Sequence, residues 1–174
     1  MSGPGLHVVL VFPEIPWNAG NAGRTCLAAG AQLHLVEPLG FSLEDRYLRR
    51  AGLDYWPRVQ PVVWPSWDAL EAELPGLGEP FFFTAGAGRS YWQARYPERS
   101  VLVFGREGSG LPADLLERYR DRSVAIPMVG SAVRSLNLSS SVALGVYEAR
   151  RQAASGGLSR VQPPSGAGVQ SPKP

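Results

Sequence analysis

The chain has one cysteine, two histidines and, among its seventeen basic residues, a single lysine, Lys173. With Cys26 alone, an intramolecular disulfide framework and a clustered cysteine metal site are both excluded, and the isolated His7 and His34 offer no metal-ligand spacing. Long hydrophobic runs are missing too. The N-terminal apolar stretch 6–12 lacks a basic leader, is too short to span a bilayer, and runs into Pro13-Glu14-Ile15-Pro16. These absences point to a cytoplasmic protein with neither a metal nor a membrane partner. Net charge is also small. At +2 the bulk field does not mark the chain as a polyanion binder. Arginine in place of lysine suits bidentate phosphate and base-edge contacts, although genome base composition accounts for the same bias.

What is present is enough for one core. With 174 residues and 44% apolar content the chain can bury one sizeable core but not two ordinary domains. Short apolar, β-branched or aromatic runs recur at 6–12, 32–36, 59–63, 80–84, 100–104 and 123–126, with helical patterns between most of them. That alternation predicts a single α/β domain, residues 1–154, with a mostly parallel sheet and flanking helices. Ser42 with Asp45, Ser66 before residues 67–74, and Pro112 supply helix starts. The strongest helix is the last, where Leu138, Val142, Gly145, Val146 and Ala149 form one stripe and Ser135 or Asn137 can cap the start. Residues 155–174 are Ser, Gly and Pro with almost no large apolar side chain, which predicts a disordered tail.

Ligands of open parallel sheets bind outside the carboxyl ends of the strands, so the loops after each run are where chemistry is expected. Three stand out: Phe83-Thr84-Ala85-Gly86, Gly105-Arg106-Glu107-Gly108-Ser109-Gly110, and Ile126-Pro127-Met128-Val129-Gly130. Glycine there lets backbone approach a ligand, although turns need glycine in any case. The spacing is neither the dinucleotide fingerprint nor a Walker loop. After the first strand, Asn18-Ala19-Gly20-Asn21-Ala22-Gly23-Arg24 opens a helix with Asn18 as a natural N-cap. Arg46, Arg49 and Arg50 share a helical face that could run along phosphates or simply be solvated beside Glu44 and Asp45.

Together these segments resemble the three signature motifs of the SPOUT class of RNA methyltransferases. Asn18 to Arg24 is similar to the first. Val103-Phe104-Gly105-Arg106-Glu107-Gly108-Ser109-Gly110-Leu111-Pro112 is similar to the second. The third is matched by Ile126-Pro127-Met128, Ser135-Leu136-Asn137-Leu138-Ser139 and Tyr147-Glu148. Within the class, Glu14-Ile15-Pro16-Trp17-Asn18-Ala19-Gly20-Asn21 and Leu48-Arg49-Arg50-Ala51-Gly52-Leu53-Asp54-Tyr55 resemble the minimal subgroup that methylates the wobble ribose of tRNA. A longer connection at residues 130–133, Gly23 inside the first helix, and the tail depart from that pattern.

The resemblance implies a C-terminal trefoil knot, S-adenosyl-L-methionine as cofactor, and tRNA as substrate. It also implies a homodimer in which the apolar faces of the first and last helices meet their symmetry mates and the site draws on both subunits. Arg24 matches the catalytic arginine, and Asn18, Glu107 and Asn137 are expected to position it and the substrate nucleotide. Phe83, Gly105, Ile126 and Met128 are expected to hold the adenosine, with Ser135 near the methionine end or a substrate phosphate. The residues alone leave plainer roles open: core for Phe83 and Ile126, a helix cap for Asn137, a surface carboxylate for Glu107, a solvated cation for Arg24. The proton acceptor stays open. Other ribose targets in tRNA or rRNA, and a non-catalytic RNA-binding module, fit parts of the same pattern.

Overall fold

The computed structural model describes residues 5–44 and 55–155. Strand β1 (Leu6–Val11) is buried along its whole length and leads through Phe12 into helix α1 (Pro16–Ala29) and strand β2 (Gln32–Val36). A short helix α2 (Trp56–Val59) and strand β3 (Val62–Trp64) follow. Next come α3 (Trp67–Glu71), α4 (Leu74–Leu77) and the strands β4 (Glu79–Phe83) and β5 (Ser100–Phe104). Helix α5 (Ala113–Arg118), a 3-10 turn, the two-residue strand β6 (Ser123–Val124) and the long helix α6 (Leu138–Ser155) complete the described residues.

All six strands are parallel, in the order β3-β2-β1-β5-β4-β6. The chain therefore steps outward from β1 to β3, crosses over, and returns β5 to the side of β1, which creates a switch point between those two central strands. Side-chain alternation divides the core. Val8, Leu10, Phe81, Phe83, Leu102 and Phe104 face one layer with α1 and α6, while Val9, Val11, Phe82, Val101 and Val103 face the other with α3, α4 and α5. Burial on both faces is why these strands are continuous apolar runs.

Several expectations need correction. Val59 is not in a strand: Trp56 and Val59, one turn apart, dock on the first layer, Gln60 turns the chain at φ 44°, and β3 starts only after Pro61. The helix after Ser66 forms with the serine capping the Ala69 N–H at 3.2 Å, but it stops at Glu71, because Pro75 cannot continue it past that carbonyl. Helix α6 takes in Ser155, one residue of the expected tail. The rest of that tail, Asp45, the arginine ridge and the motif from Leu48 to Asp54 lie outside the described residues.

Helices α1 and α6 run side by side in the same direction. Their starts meet where Asn137 Nδ2 donates to Asn18 Oδ1 at 2.9 Å, and their ends meet where Arg150 donates to the Ala29 and Gly30 carbonyls at 2.8 Å each. The arginine supplies partners and positive charge to the last carbonyls of α1. The apolar stripe of α6 is used by this contact and by the sheet beneath it: Leu138, Val142, Val146 and Ala149 are buried within the chain. It is not the face open to a second subunit. The exposed faces of the two helices carry Trp17, Leu27, Leu144 and Tyr147 instead.

The two histidines form a buried chain with a tryptophan. Trp64 Nε1 donates to His34 Nδ1 at 3.0 Å, so the His34 proton sits on Nε2 and faces His7 Nδ1 at 2.9 Å. A second proton on His34 would oppose the indole N–H. Burial, then the nearby His7, lowers the His34 pKa from 6.5 to about 4. The folded value lies below the unfolded one, so this contribution to stability is complete above pH 6.5 and is lost as pH falls towards 4. The loss amounts to about 3 kcal/mol for a shift of this size. Urea unfolding between pH 7.5 and 4.5 should show that decline, and His34→Gln should flatten it. Equal slopes for the two proteins would remove the histidine as its source.

Candidate active site

The carboxyl ends of β1, β4, β5 and β6 lie around one cavity of about 600 Å³, within the range that accommodates a nucleoside-sized ligand. Each wall has a local cause. Phe12 leaves β1 in the left-handed region at φ 56°, a strained conformation for a residue with a side chain, and Pro16 then begins α1 so that its N-terminus faces the cavity. The loop after β5 closes on itself through a bridge between Arg106 and Gly110. Position 105 has to be glycine there, since a Cβ would lie 2.1 Å from the Gly110 carbonyl carbon and 2.2 Å from the Leu111 nitrogen.

At the rim, three side chains from different parts of the chain form a hydrogen-bonded relay. Asn18 Nδ2 donates to Glu107 Oε1 at 3.0 Å, and Asn18 Oδ1 accepts from Asn137. Glu107 also accepts the backbone N–H of Ile15 on Oε1 at 3.1 Å and that of Glu14 on Oε2 at 2.8 Å. Three N–H groups on one carboxylate make Glu107 the brace between the β5 loop and the start of α1. Bonds of this charge-assisted kind contribute roughly 1.5–3 kcal/mol each.

Direction in the relay is fixed from its far end. Asn137 Oδ1 caps α6 by accepting the Ser139 N–H at 2.9 Å, which leaves its Nδ2 to face Asn18. Asn18 must then present oxygen to Asn137 and nitrogen to Glu107. Asn18 is thus not the N-cap that its sequence position suggests. Ile15 holds that place without a side-chain cap, and Asn18, only 3% exposed, is the third residue of α1 with its amide committed to the relay.

Eight expected site residues line the cavity together: Asn18, Phe83, Gly105, Glu107, Ile126, Met128, Ser135 and Asn137. Arg24 does not. It lies on the exposed side of α1, six residues and about 9 Å of helix beyond Asn18, with its guanidinium over the Tyr55 ring at 5.4 Å from the centroid. The relay therefore braces Asn18 against Glu107 and Asn137, and not against Arg24.

Sequence reasoning left Glu14, Arg106 and Arg134 without roles. Arg106 and Arg134 line the cavity, and Glu14 accepts the Gly108 N–H at 3.1 Å and pairs with Arg106 at 3.9 Å. The Arg106 guanidinium also sits over the Phe12 ring at 5.3 Å, and its buried Nε has no hydrogen-bond partner. The signal for Glu14 was its place in the Glu14-Ile15-Pro16 motif; spacing alone carried none for the arginines. Apolar Leu111, Ile126 and Leu138 beside backbone amides suit a flat heterocycle with a polar tail. Among the described residues no group of three or more His, Cys, Asp or Glu could hold a metal ion, and no helix is long and apolar enough to cross a membrane.

A doubly covered parallel sheet with a ligand cavity and two helix N-termini at its switch point defines an α/β protein that handles a nucleotide-like molecule. The chain belongs to the SpoU rRNA methylase family, whose pattern matches residues 5–147. A relative from Burkholderia ambifaria named tRNA (cytidine(34)-2'-O)-methyltransferase is 50% identical over 150 residues, 84% of this chain and 95% of that protein. A solved structure described as giving structural insights into the 2-OH methylation of C/U34 on tRNA has a TM-score of 0.80 at 47% identity, covering 86% of this chain and 97% of the other. The SpoU methyltransferase AviRb from Streptomyces viridochromogenes, solved in complex with the cofactor AdoMet, has a TM-score of 0.72 at 25% identity, covering 89% of this chain and 60% of the other.

Proposed function

We propose that this chain transfers a methyl group from S-adenosyl-L-methionine to the ribose 2'-hydroxyl of the wobble nucleotide, cytidine or uridine, in the tRNA anticodon loop. The observation that carries the proposal is the Asn18–Glu107–Asn137 relay, which joins all three family motifs at the rim of one nucleoside-sized cavity. Relatives named for this reaction, aligned over nearly their whole length, supply the substrate.

The cofactor supplies an activated methyl sulfonium when bound. Backbone and side chains at Phe83, Gly105, Ile126 and Met128 would enclose its adenosine, and Ser135 would meet its amino-acid end or a substrate phosphate. The chain's remaining work is to align the ribose oxygen and stabilise it as its proton leaves. The Glu107 oxygens accept three N–H groups, which commits that carboxylate to bracing the start of α1. Arg24 is the group assigned to the developing alkoxide, since a guanidinium resists deprotonation but stabilises negative charge.

In this reading the protein is a cytoplasmic homodimer with a C-terminal trefoil knot, and residues 1–154 form its catalytic unit. Exposed Trp17, Leu144 and Tyr147 on the adjoining faces of α1 and α6 support the dimer, and Arg24 shares that side of α1. An active site drawing on both subunits therefore accommodates an arginine that lies outside its own cavity.

The test is transfer of labelled methyl groups from S-adenosyl-L-methionine to purified transcripts, followed by nucleoside mapping. Label at the 2'-oxygen of position 34 in tRNAs with a wobble pyrimidine is expected. The family name makes rRNA the natural comparison, and label confined to rRNA or to another tRNA ribose would replace the substrate assignment. Calorimetry with no heat of binding at millimolar cofactor would end the enzyme reading.

A further inference from the structure

Arg24 is exposed on α1, and among the described residues no carboxylate pairs with it. An arginine in that situation samples many rotamers, whereas stabilising an oxyanion requires a guanidinium held in one orientation. The structure supplies a holder. Tyr55 places its ring beneath the guanidinium at 5.4 Å, and the ring is held in turn by the docking of α2 on α1. That docking depends on Gly23, the residue beside Arg24. A Cβ at position 23 would lie 2.9 Å and 3.1 Å from the two γ-carbons of Val59 and 3.2 Å from the Trp56 ring. Trp56 and Val59 are buried in that contact at 5% and 7% exposure. The glycine inside the first helix is thus the seat on which the tyrosine-bearing turn rests.

We infer that Tyr55 is a positioning residue for Arg24: its ring, fixed by the seating of residues 56–59 against Gly23, holds the guanidinium in the orientation that the reacting ribose oxygen requires. The inference rests on the assignment of Arg24 under Proposed function. It adds the mechanism by which an exposed arginine is preorganised, and it ties Arg24 to the end of the segment that carries Arg46, Arg49 and Arg50.

A double-mutant cycle on full-length protein tests this, using single-turnover methyl transfer to tRNA at saturating cofactor. Tyr55→Phe keeps the ring face and should stay within about twofold of the parent, whereas Tyr55→Leu should slow the step roughly 5- to 30-fold, the range for losing a cation–π contact that is desolvated with substrate bound. Cofactor affinity by calorimetry should be unchanged in both. In an Arg24→Ala background Tyr55→Leu should have no further effect, because the group that it positions is gone. Gly23→Ala should reproduce the Tyr55→Leu loss and the same non-additivity, and provides a second route if the leucine variant folds poorly. Tyr55→Leu slowing transfer by equal factors in both backgrounds would overturn the inference and leave the Arg24 assignment standing. Parental turnover in Arg24→Ala would overturn both.

Discussion

Arg24→Ala should lower the single-turnover rate of methyl transfer to tRNA by at least about 10²-fold, the loss typical of removing one preorganised stabiliser of developing charge. S-adenosylmethionine should bind almost as well as before, since Arg24 lines no part of the cavity within its own chain. Arg24→Lys separates charge from shape. Lysine keeps the positive charge but loses the planar fork and its stacking on the Tyr55 ring, so little rescue is expected if orientation matters and substantial rescue if charge alone suffices. Turnover within a few-fold of the parent in both variants would make Arg24 a solvated helix residue. Arg24 lies on the same exposed side of α1 as Trp17, so mixed dimers give a further reading. An Arg24→Ala subunit and a cavity-defective subunit should restore activity in the mixed dimer if the arginine serves its partner.

Asn137→Asp, a change of one atom pair, should be nearly as damaging. The Oδ1 cap on the Ser139 N–H survives, but the group facing Asn18 becomes an oxygen and meets the Asn18 Oδ1. If the Asn18 amide turns over to donate, its oxygen meets the Glu107 carboxylate instead. Either arrangement leaves a repulsive oxygen pair beside a buried residue, at a cost of about 1–3 kcal/mol for the unsatisfied group and more for the charge. Urea unfolding at pH 7.5 should register that cost, and transfer should fall with it. Protonating the new carboxyl restores a donor, so the deficit relative to the parent should shrink as pH falls towards 5. A deficit independent of pH would mean that the relay does not have the polarity described.

The interior strands were legible because they are buried on both faces, so apolar residues dominate them, broken in β1 and β2 by the buried His7 and His34; β2 and β5 begin and end where the residues say. The edge was not. Val59 has the side chain of a strand residue, but the close approach allowed by Gly23 in the middle of α1 is a tertiary fact with no local signature. The stripe on α6 was visible as a stripe, but periodicity cannot say whether the chain's own sheet or a second subunit covers it. Here the sheet does.

The site divides in the same way. Asn18, Glu107 and Asn137 could be picked out by their motifs, and their convergence on one cavity follows from the parallel topology. Who donates to whom could not, because the direction of the relay is set by a helix cap that exists only once α6 has formed. Neither could the position of Arg24, since helical spacing fixes its face but not what that face meets. The unpaired Arg106 Nε had no sequence signal of any kind.

The relay joins residues separated by 89 and 119 positions. On a ribosome adding roughly 5–20 residues per second, Asn18 is made about 6–24 seconds before the residue that orients it. The strands from β1 to β5 can pair during that interval, but the start of α1 stays unbraced on one side until residue 137 and the helix behind it have left the exit tunnel. Long-range closures of this kind are also the slow ones in refolding, because their loop entropy is lost before their contacts form. Affinity for the small-molecule ligand should therefore arise as a step late in synthesis, and a nascent chain arrested before α6 should possess the sheet without the binding site.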